Sequence, residues 1–189
     1  VHGANRLGSN SLIDLVVFGR SSSLRCSEIV SPGLIPEELP KNAGLNSIER
    51  LEKFRLSKGP KPTSELRSNM QRTMQNNCAV FRTDEVLQEG RGLIAEVYDS
   101  LSDIGIKDRS LIWNTDLIEA LEFDNMIGQA MVTMAGAAER QESRGSHARE
   151  DFPDRDDENW MKHTLAWLSE DGKIKVDYRR VHERTLTND

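Results

Sequence analysis

The fold is decided by the stretch Asn114-Thr-Asp-Leu-Ile-Glu-Ala-Leu-Glu-Phe-Asp-Asn-Met-Ile-Gly-Gln-Ala-Met-Val-Thr-Met-Ala-Gly-Ala-Ala-Glu-Arg140. It opens with two residue types that commonly cap helices, and apolar side chains then recur at helical spacing. The apolar face consists of Leu117, Leu121, Ile127, Met131, Met134 and Ala138, and the polar face of Glu119, Glu122, Gln129 and Thr133. This pattern predicts one long amphipathic helix that begins at Asn114 or Thr115 and ends near Arg140.

Two shorter amphipathic helices are predicted before it. One has Thr63 as its N-cap; the other has Thr83 as its N-cap and extends to about Leu101. The inward stripe of the first is Leu66, Met70, Thr73, Met74, Asn77, Cys78 and Phe81, and that of the second is Val86, Leu87, Leu93, Ile94 and Val97. Three such helices joined by short turns predict a mainly α fold with a three-helix up-down-up bundle. The methionines at 70, 74, 126, 131 and 134 fit core packing better than an adaptable binding surface.

The first sixty residues predict a separate arrangement. A helix is expected from about Ser11 to Val30, then an extended crossing through three prolines at residues 31–40, and a second helix from about Ala43 to Ser57. The breaker Gly59-Pro-Lys-Pro62 predicts the domain boundary. The resulting divisions are residues 1–62, a helical domain at 63–142, and an irregular charged segment with a small β-containing domain at 143–189.

The segment after the long helix is rich in charge. Its acidic run at residues 151–158 offers oxygen ligands for a metal, but it lacks the glycine and the spacing of a calcium loop. Because Arg144, Arg149 and Arg155 interleave with the acids, we expect an ion-pair network and no metal site. His147 and His163 are expected to be hydrogen-bonded structural groups.

A β-hairpin is predicted at the end of the chain. Asp171-Gly172 separates two short runs, and in the second run Ile174, Val176 and Tyr178 alternate with polar residues. An Asp-Gly pair between such runs is typical of a hairpin turn, and the alternation predicts one buried face and one exposed face.

Composition excludes some functions. The 189 residues have a net charge of −6 and no Lys/Arg block longer than two residues, which argues against a nucleic-acid partner. No run approaches the length of a membrane span, and the sequence does not begin with a signal peptide. Cys26 and Cys78 lie in helical patterns without a metal-binding spacing, which predicts reduced, buried thiols.

The segment His2-Gly-Ala-Asn-Arg-Leu-Gly-Ser-Asn-Ser-Leu12 is the one most loaded with chemistry. Its serines and asparagine can start a helix, and Ser11 with Asp14 has the spacing of a capping box. A helix N-terminus attracts negative charge, and the guanidinium of Arg6 matches a carboxylate with two parallel hydrogen bonds. A purely structural loop and helix cap remains the alternative interpretation.

This segment resembles the part of the succinate dehydrogenase and fumarate reductase flavoproteins that closes over the flavin and the dicarboxylate. Four further stretches resemble the succinate dehydrogenase branch: residues 70–82, 111–117, 142–147 and 148–163. The resemblance therefore covers almost the whole chain, and the stretch from Ala148 favours this branch over fumarate reductase or L-aspartate oxidase.

The resemblance implies roles for three residues. Arg6 would hold a substrate carboxylate, and Ser11 and Leu12 would contact FAD. The family oxidises succinate to fumarate and passes electrons through FAD to an iron-sulfur subunit and then to quinone. Implied partners are that iron-sulfur subunit, membrane-anchor subunits and a flavinylation assembly factor. The implied location is peripheral, on the cytoplasmic face of a bacterial inner membrane or the matrix side of the mitochondrial one.

The same resemblance implies that chemistry is missing from this chain. A Rossmann-type FAD site needs a Gly-x-Gly-x-x-Gly after a strand, and the sequence has none. The family's proton-shuttling arginine and its flavin-linked histidine are expected upstream, so we expect a C-terminal fragment without catalytic residues, inactive alone. The alternative is a helical module that only docks to the iron-sulfur subunit or an assembly factor, or a passive scaffold.

Overall fold

The computed structural model describes residues 8–35, 37–169 and 171–182. Within them lie six α-helices and one two-stranded sheet, so the fold is mainly helical. The elements are α1 (Asn10–Ile29), α2 (Leu45–Arg55), α3 (Thr63–Asn77), α4 (Asp84–Asp99), α5 (Thr115–Glu139), α6 (Asp157–Trp160), β1 (Lys162–Leu168) and β2 (Ile174–Arg180), with a 3-10 turn at Ser100–Asp103. The chain divides into two compact units between Asn46 and Ser47.

In the first unit, α1 closely matches the predicted helix, but its start differs from the prediction. The N-cap is Ser9, which has a left-handed backbone (φ 67°) and makes no side-chain capping hydrogen bond. Ser9 O instead accepts from the backbone N–H of Leu12 at 3.1 Å. Ser11 lies inside the first turn, so the predicted capping box of Ser11 and Asp14 is wrong. The prediction that Cys26 is buried is also wrong, because this thiol is exposed on α1.

In the second unit, the core lies where α3, α4 and α5 pack against one another. The predicted apolar face of α5 is confirmed, with Ile127 and Met134 fully buried. The predicted polar face is exposed. The methionines at 70, 74, 126, 131 and 134 are buried or partly buried, which confirms that they pack in the core. Cys78 is buried as predicted. Phe54 of α2 joins the same core.

The predicted caps of α4 and α5 are confirmed, and the predicted cap of α3 is wrong. Thr83 caps α4 by accepting from Val86 N–H, and Asn114 caps α5 by accepting from Leu117 N–H at 2.9 Å. Thr63, however, is the first residue of α3 and not its N-cap; Pro62 occupies that position. The Oγ1 atom of Thr63 is buried without a hydrogen-bond partner in the part of the chain that the structure describes.

Two residues of the predicted inward stripes are exposed instead. Phe81 is 73% exposed because α3 ends at Asn77 and the chain leaves the helical path before reaching it. Leu93 is 39% exposed, at the margin of the buried face of α4. The helical spacing of apolar residues therefore predicts burial only as far as the helix extends.

The predicted boundary at Gly59–Pro62 does not coincide with the division between the units. The Gly59 N–H donates to Ile104 O at 3.1 Å, and the Lys61 N–H donates to Asp103 O at 2.9 Å. A Cβ on Gly59 would lie 2.0 Å from Asp103 O, and one on Gly105 would lie 2.0 Å from Gly59 O. Glycine is required on both sides because the two backbones approach too closely for any side chain.

The predicted hairpin is confirmed. β1 and β2 pair antiparallel with Ala166 opposite Val176 and Leu168 opposite Ile174. Along β2, half-buried Ile174, Val176 and Tyr178 alternate with exposed residues. The turn glycine Gly172 has φ 78°, the left-handed conformation that an Asp-Gly turn needs. The sheet packs on α5.

None of the helices in the described ranges is long and apolar enough to cross a membrane.

Alanine substitutions at two glycines of α4 are expected to change the stability of the fold in opposite directions. A Cβ at Gly90 would lie 2.6 Å from Asn77 Cβ and 2.7 Å from Met134 Cε, whereas a Cβ at Gly92 meets nothing within 4 Å. We expect Gly92→Ala to raise the free energy of unfolding by about 0.5–1 kcal/mol, because alanine is the better helix former. Gly90→Ala should lower it by about 1–3 kcal/mol through overpacking. Urea unfolding measures both, and equal effects of the two variants would contradict the packing described here.

Candidate functional site

A fully buried carboxylate organises the segment after α5. Glu142 has no exposed surface, and its carboxylate accepts from Arg140, from both Nε (2.8 Å) and Nη2 (3.0 Å) of Arg144, and from the Asp156 N–H (2.9 Å). Arg144 continues to Asp157 at 2.6 Å, which also pairs with Arg155. The predicted ion-pair network is therefore confirmed.

The electrostatics of this network favour the charged forms. Burial of Glu142 raises its pKa, but hydrogen bonds from Arg144, the Asp156 backbone and Arg140 outweigh burial, and its pKa is lowered. Hydrogen bonds from Arg155 and Arg144 likewise lower the pKa of Asp157. The carboxylates of Glu142 and Asp157 therefore remain ionised near neutral pH.

Arg149 connects this segment to the end of α5. Its guanidinium is fully buried, and Nη1 donates to the carbonyls of Ala138 and Arg140, both at 3.3 Å. Its other side faces Asp151, which accepts at 2.7 Å and whose pKa falls to about 2 because of Arg149. The last carbonyls of a helix have no partner within the helix and carry partial negative charge, so a buried arginine is well suited to cap them.

A cleft of about 410 Å³ lies between α5 and β1. Arg82 from the α3–α4 connection, Arg140 and His147 give it polar and cationic walls, and two hydroxyls, of Thr133 and Thr164, add hydrogen-bonding groups. The rest of the lining is Val132, Gly136, Ala137 and Ala166. No acidic side chain of residues 8–35, 37–169 or 171–182 lines it.

His147 is fixed in this cleft by two hydrogen bonds. Its Nδ1 lies 2.7 Å from Arg82 Nη1, and its Nε2 lies 3.0 Å from Arg140 O. Arginine can only donate and a carbonyl can only accept, so the ring is neutral with its proton on Nε2. Burial lowers the pKa of His147, and the charges of Arg82, Arg149 and Arg140 lower it further. The prediction that His147 is a hydrogen-bonded structural group is confirmed. His163 is exposed on β1.

The residues predicted to bind substrate and flavin belong to the first unit. Arg6 lies outside the described residues. Ser11 and Leu12 are placed in the first turn of α1, where Leu12 is 66% exposed. That turn contains no acidic residue, so the partial positive charge of the helix start is not neutralised there. This chemistry fits an electron-rich ring edge or an anion.

The cleft was not anticipated from the sequence. Its polar residues come from the α3–α4 connection, the end of α5, the charged segment and β1, and no spacing rule relates positions so far apart in the chain. His147 was recognised only as a single histidine. The nearest signal was the arginine-rich composition of the charged segment, which predicted the network but not the concave surface beside it.

Comparison with known proteins places this fold in a class. Residues 67–188 match a family described as fumarate reductase flavoprotein C-term. The chain superposes on E. coli quinol fumarate reductase FrdA with a TM-score of 0.85 and 34% identity, over 97% of this chain and 32% of that chain. The architecture is thus that of the C-terminal part of a flavoprotein.

Sequence relatives refine this class. The chain is 56% identical to the succinate dehydrogenase flavoprotein subunit of Rickettsia felis and 53% identical to the mitochondrial one of Oryza sativa, matching throughout its length in both. Identity to the fumarate reductase flavoprotein subunit of Haemophilus influenzae is 35% over 96% of the chain. The chain belongs to the succinate dehydrogenase and fumarate reductase flavoprotein family. It spans about a third of the length of these relatives, 32%, 30% and 30%.

Removal of the buried charge tests the network. Glu142→Gln keeps the shape but leaves Arg140 without its carboxylate, and breaking a buried ion pair typically costs about 3–5 kcal/mol. We expect the lower end of that range because Arg144 retains Asp157. The control is Glu150→Gln, the same change on an exposed side chain, with an expected effect within about 0.5 kcal/mol. Similar losses in both variants, measured by denaturant unfolding, would contradict a central role for Glu142.

The geometry of His147 predicts a pH dependence of stability. Because its pKa is lower in the folded state than the value of about 6.5 in an unfolded chain, the unfolded chain binds the proton more readily. The stabilisation is complete above about pH 6.5 and is lost as the pH falls from there towards the folded pKa. Unfolding free energies at about pH 7.5 and 5.5 should therefore differ in the parent chain, and His147→Gln should reduce the difference. An unchanged difference would refute this assignment.

Proposed function

We propose that this chain is part of the flavoprotein subunit of succinate dehydrogenase, in respiratory complex II. In this proposal the intact subunit is an FAD-dependent oxidoreductase that oxidises succinate to fumarate, and its electrons pass through FAD to an iron-sulfur subunit and then to quinone. The observation that carries the proposal is the 56% identity to the Rickettsia felis subunit along the whole chain. The chain alone is proposed to be inactive.

In the proposed mechanism, residues of this chain position the reactants. Arg6 holds one carboxylate of succinate, and its planar fork fixes the orientation of the two carbons that lose hydrogen. Ser11 and Leu12 contact FAD at the first turn of α1, whose partial positive charge favours negative charge on the nearby ring. When bound, FAD would supply the hydride acceptor. Support comes from the chemistry of that turn, which has no acidic side chain to oppose such a ring.

The remaining proposals concern organisation and partners. Residues 1–62 would complete the FAD-binding domain, and α3, α4 and α5 in 63–142 would run up-down-up. The proposed partners are the iron-sulfur subunit, the membrane-anchor subunits through it, and a flavinylation assembly factor. The location would be peripheral, on the cytoplasmic face of a bacterial inner membrane or the matrix side of the mitochondrial one. Mutual packing of the three helices supports the bundle.

Two alternatives remain open. Within the family, the subunit could belong to a fumarate reductase or an L-aspartate oxidase; the 35% identity to the Haemophilus influenzae fumarate reductase subunit, against 56% for Rickettsia felis, favours succinate dehydrogenase. From a different class, the chain could be only a helical docking or scaffold module. Co-purification of this chain with an iron-sulfur subunit, without retained flavin after mixing with FAD and desalting, would support that module.

The role of Arg6 can be tested in a full-length subunit that contains this chain. We expect Arg6→Lys to lower succinate turnover, because an ammonium group cannot make the two parallel hydrogen bonds of a guanidinium. The expected loss is about 1.5–3 kcal/mol, the range for a hydrogen bond to a charged group. Steady-state kinetics with succinate and an artificial electron acceptor provides the measurement.

The matched control is Arg20→Lys, the same substitution at an exposed position of α1. This variant should retain the parent turnover and the parent flavin content. Near-normal turnover in Arg6→Lys, or an equal loss in both variants, would refute the assignment of Arg6 as the substrate clamp.

A further inference from the structure

The cleft between α5 and β1 contains an arginine, Arg82, that is not paired with any carboxylate of the described residues. Arg82 donates from Nε to Ala79 O and from Nη2 to Cys78 O, both at 2.8 Å, and from Nη1 to His147 Nδ1. Within the described ranges, Arg82 forms no ion pair with an acidic side chain. By contrast, Arg140 and Arg144 pair with Glu142, and Arg149 pairs with Asp151.

Arg82 also keeps unused donors. Each terminal nitrogen of a guanidinium carries two N–H groups. The described residues accept one hydrogen bond from Nη1 and one from Nη2 of Arg82, so each nitrogen has a further N–H for a ligand. The three existing bonds hold the guanidinium plane in place, so a ligand would meet a preorganised donor pair.

The other walls of the cleft suit the same chemistry. The hydroxyls of Thr133 and Thr164 can donate to an oxygen, while Gly136 and Ala137 leave room beside them. A Cβ at Gly136 would meet nothing within 4 Å. The volume of about 410 Å³ lies at the small end of the range for ligand pockets. Since the described part of the chain contributes no acid to the lining, the cleft is a cationic surface in a chain of net charge −6.

We propose that this cleft binds a small oxyanion with two negative charges, held by Arg82 with the hydroxyls of Thr133 and Thr164. The shared chemistry is a group of oxygen acceptors that matches a guanidinium, which both a phosphate and a short dicarboxylate provide. This proposal does not depend on the proposed function.

The test is a titration of a full-length subunit that contains this chain, followed by NMR of its histidine rings. Sodium phosphate and sodium malonate are added separately at constant ionic strength, with sodium chloride as the screening control. The ring signal of His147, assigned by its loss in His147→Gln, should shift with saturation, while that of His163 stays in place. The salt that saturates at the lower concentration identifies the source of the oxyanion.

Two variants locate the binding. Thr133→Glu adds a negative charge to the lining of the cleft at an exposed position of α5, and it should raise the half-saturating concentration by roughly tenfold or more. The matched control is Gln129→Glu, one turn earlier on the same exposed face and not in the lining, which should bind as the parent does. Arg82→Gln should abolish the shift.

Three results would overturn the proposal. They are a linear, non-saturating response of His147 to both salts, a chloride titration that reproduces the response, and equal weakening by Thr133→Glu and Gln129→Glu. Because the two glutamate variants alter only exposed residues of α5, the comparison remains valid even if Arg82→Gln does not fold.

Discussion

The buried Glu142 carboxylate is the interaction on which the second half of the molecule depends. An unpaired buried charge would be strongly destabilising, so this carboxylate requires every donor that surrounds it. Those donors come from Arg140 at the end of α5, from Arg144 in the irregular segment, and from the backbone before α6. One side chain therefore links three segments of the chain.

The consequences extend through Arg140 to the hairpin. While Glu142 holds one part of its guanidinium, the rest donates to Trp160 O at 3.0 Å, to Lys162 O and to the hydroxyl of Thr164. The same arginine stacks on the Trp160 ring, with 5.2 Å from Cζ to the ring centroid. Arg140 and Thr164, which line the cleft beside α5, are therefore held by the network and by the hairpin, and such support preorganises a surface for a ligand.

The sequence predicts what is local and fails where the fold combines distant segments. Capping by Thr83 and Asn114, the stripe of α5 and the Asp-Gly turn each depend on residues a few positions apart, and all are confirmed. By contrast, the sequence around Gly59 predicts only a break in the chain, whereas in the structure this glycine allows a close contact with Gly105. No pattern of neighbouring residues could predict that contact. The cleft around Arg82 belongs to the same category, and the proposed roles of Ser11 and Leu12 rested on resemblance from the start.

The two units differ in how they are stabilised. The second has a continuous apolar core and the charged network, whereas α1 has no buried residue and exposes Leu15 and Val16 by 70% each. A helix with apolar side chains on several sides normally lies inside a protein, because burial of such surface is its main source of stability. This contrast accords with a chain that matches about a third of longer flavoproteins.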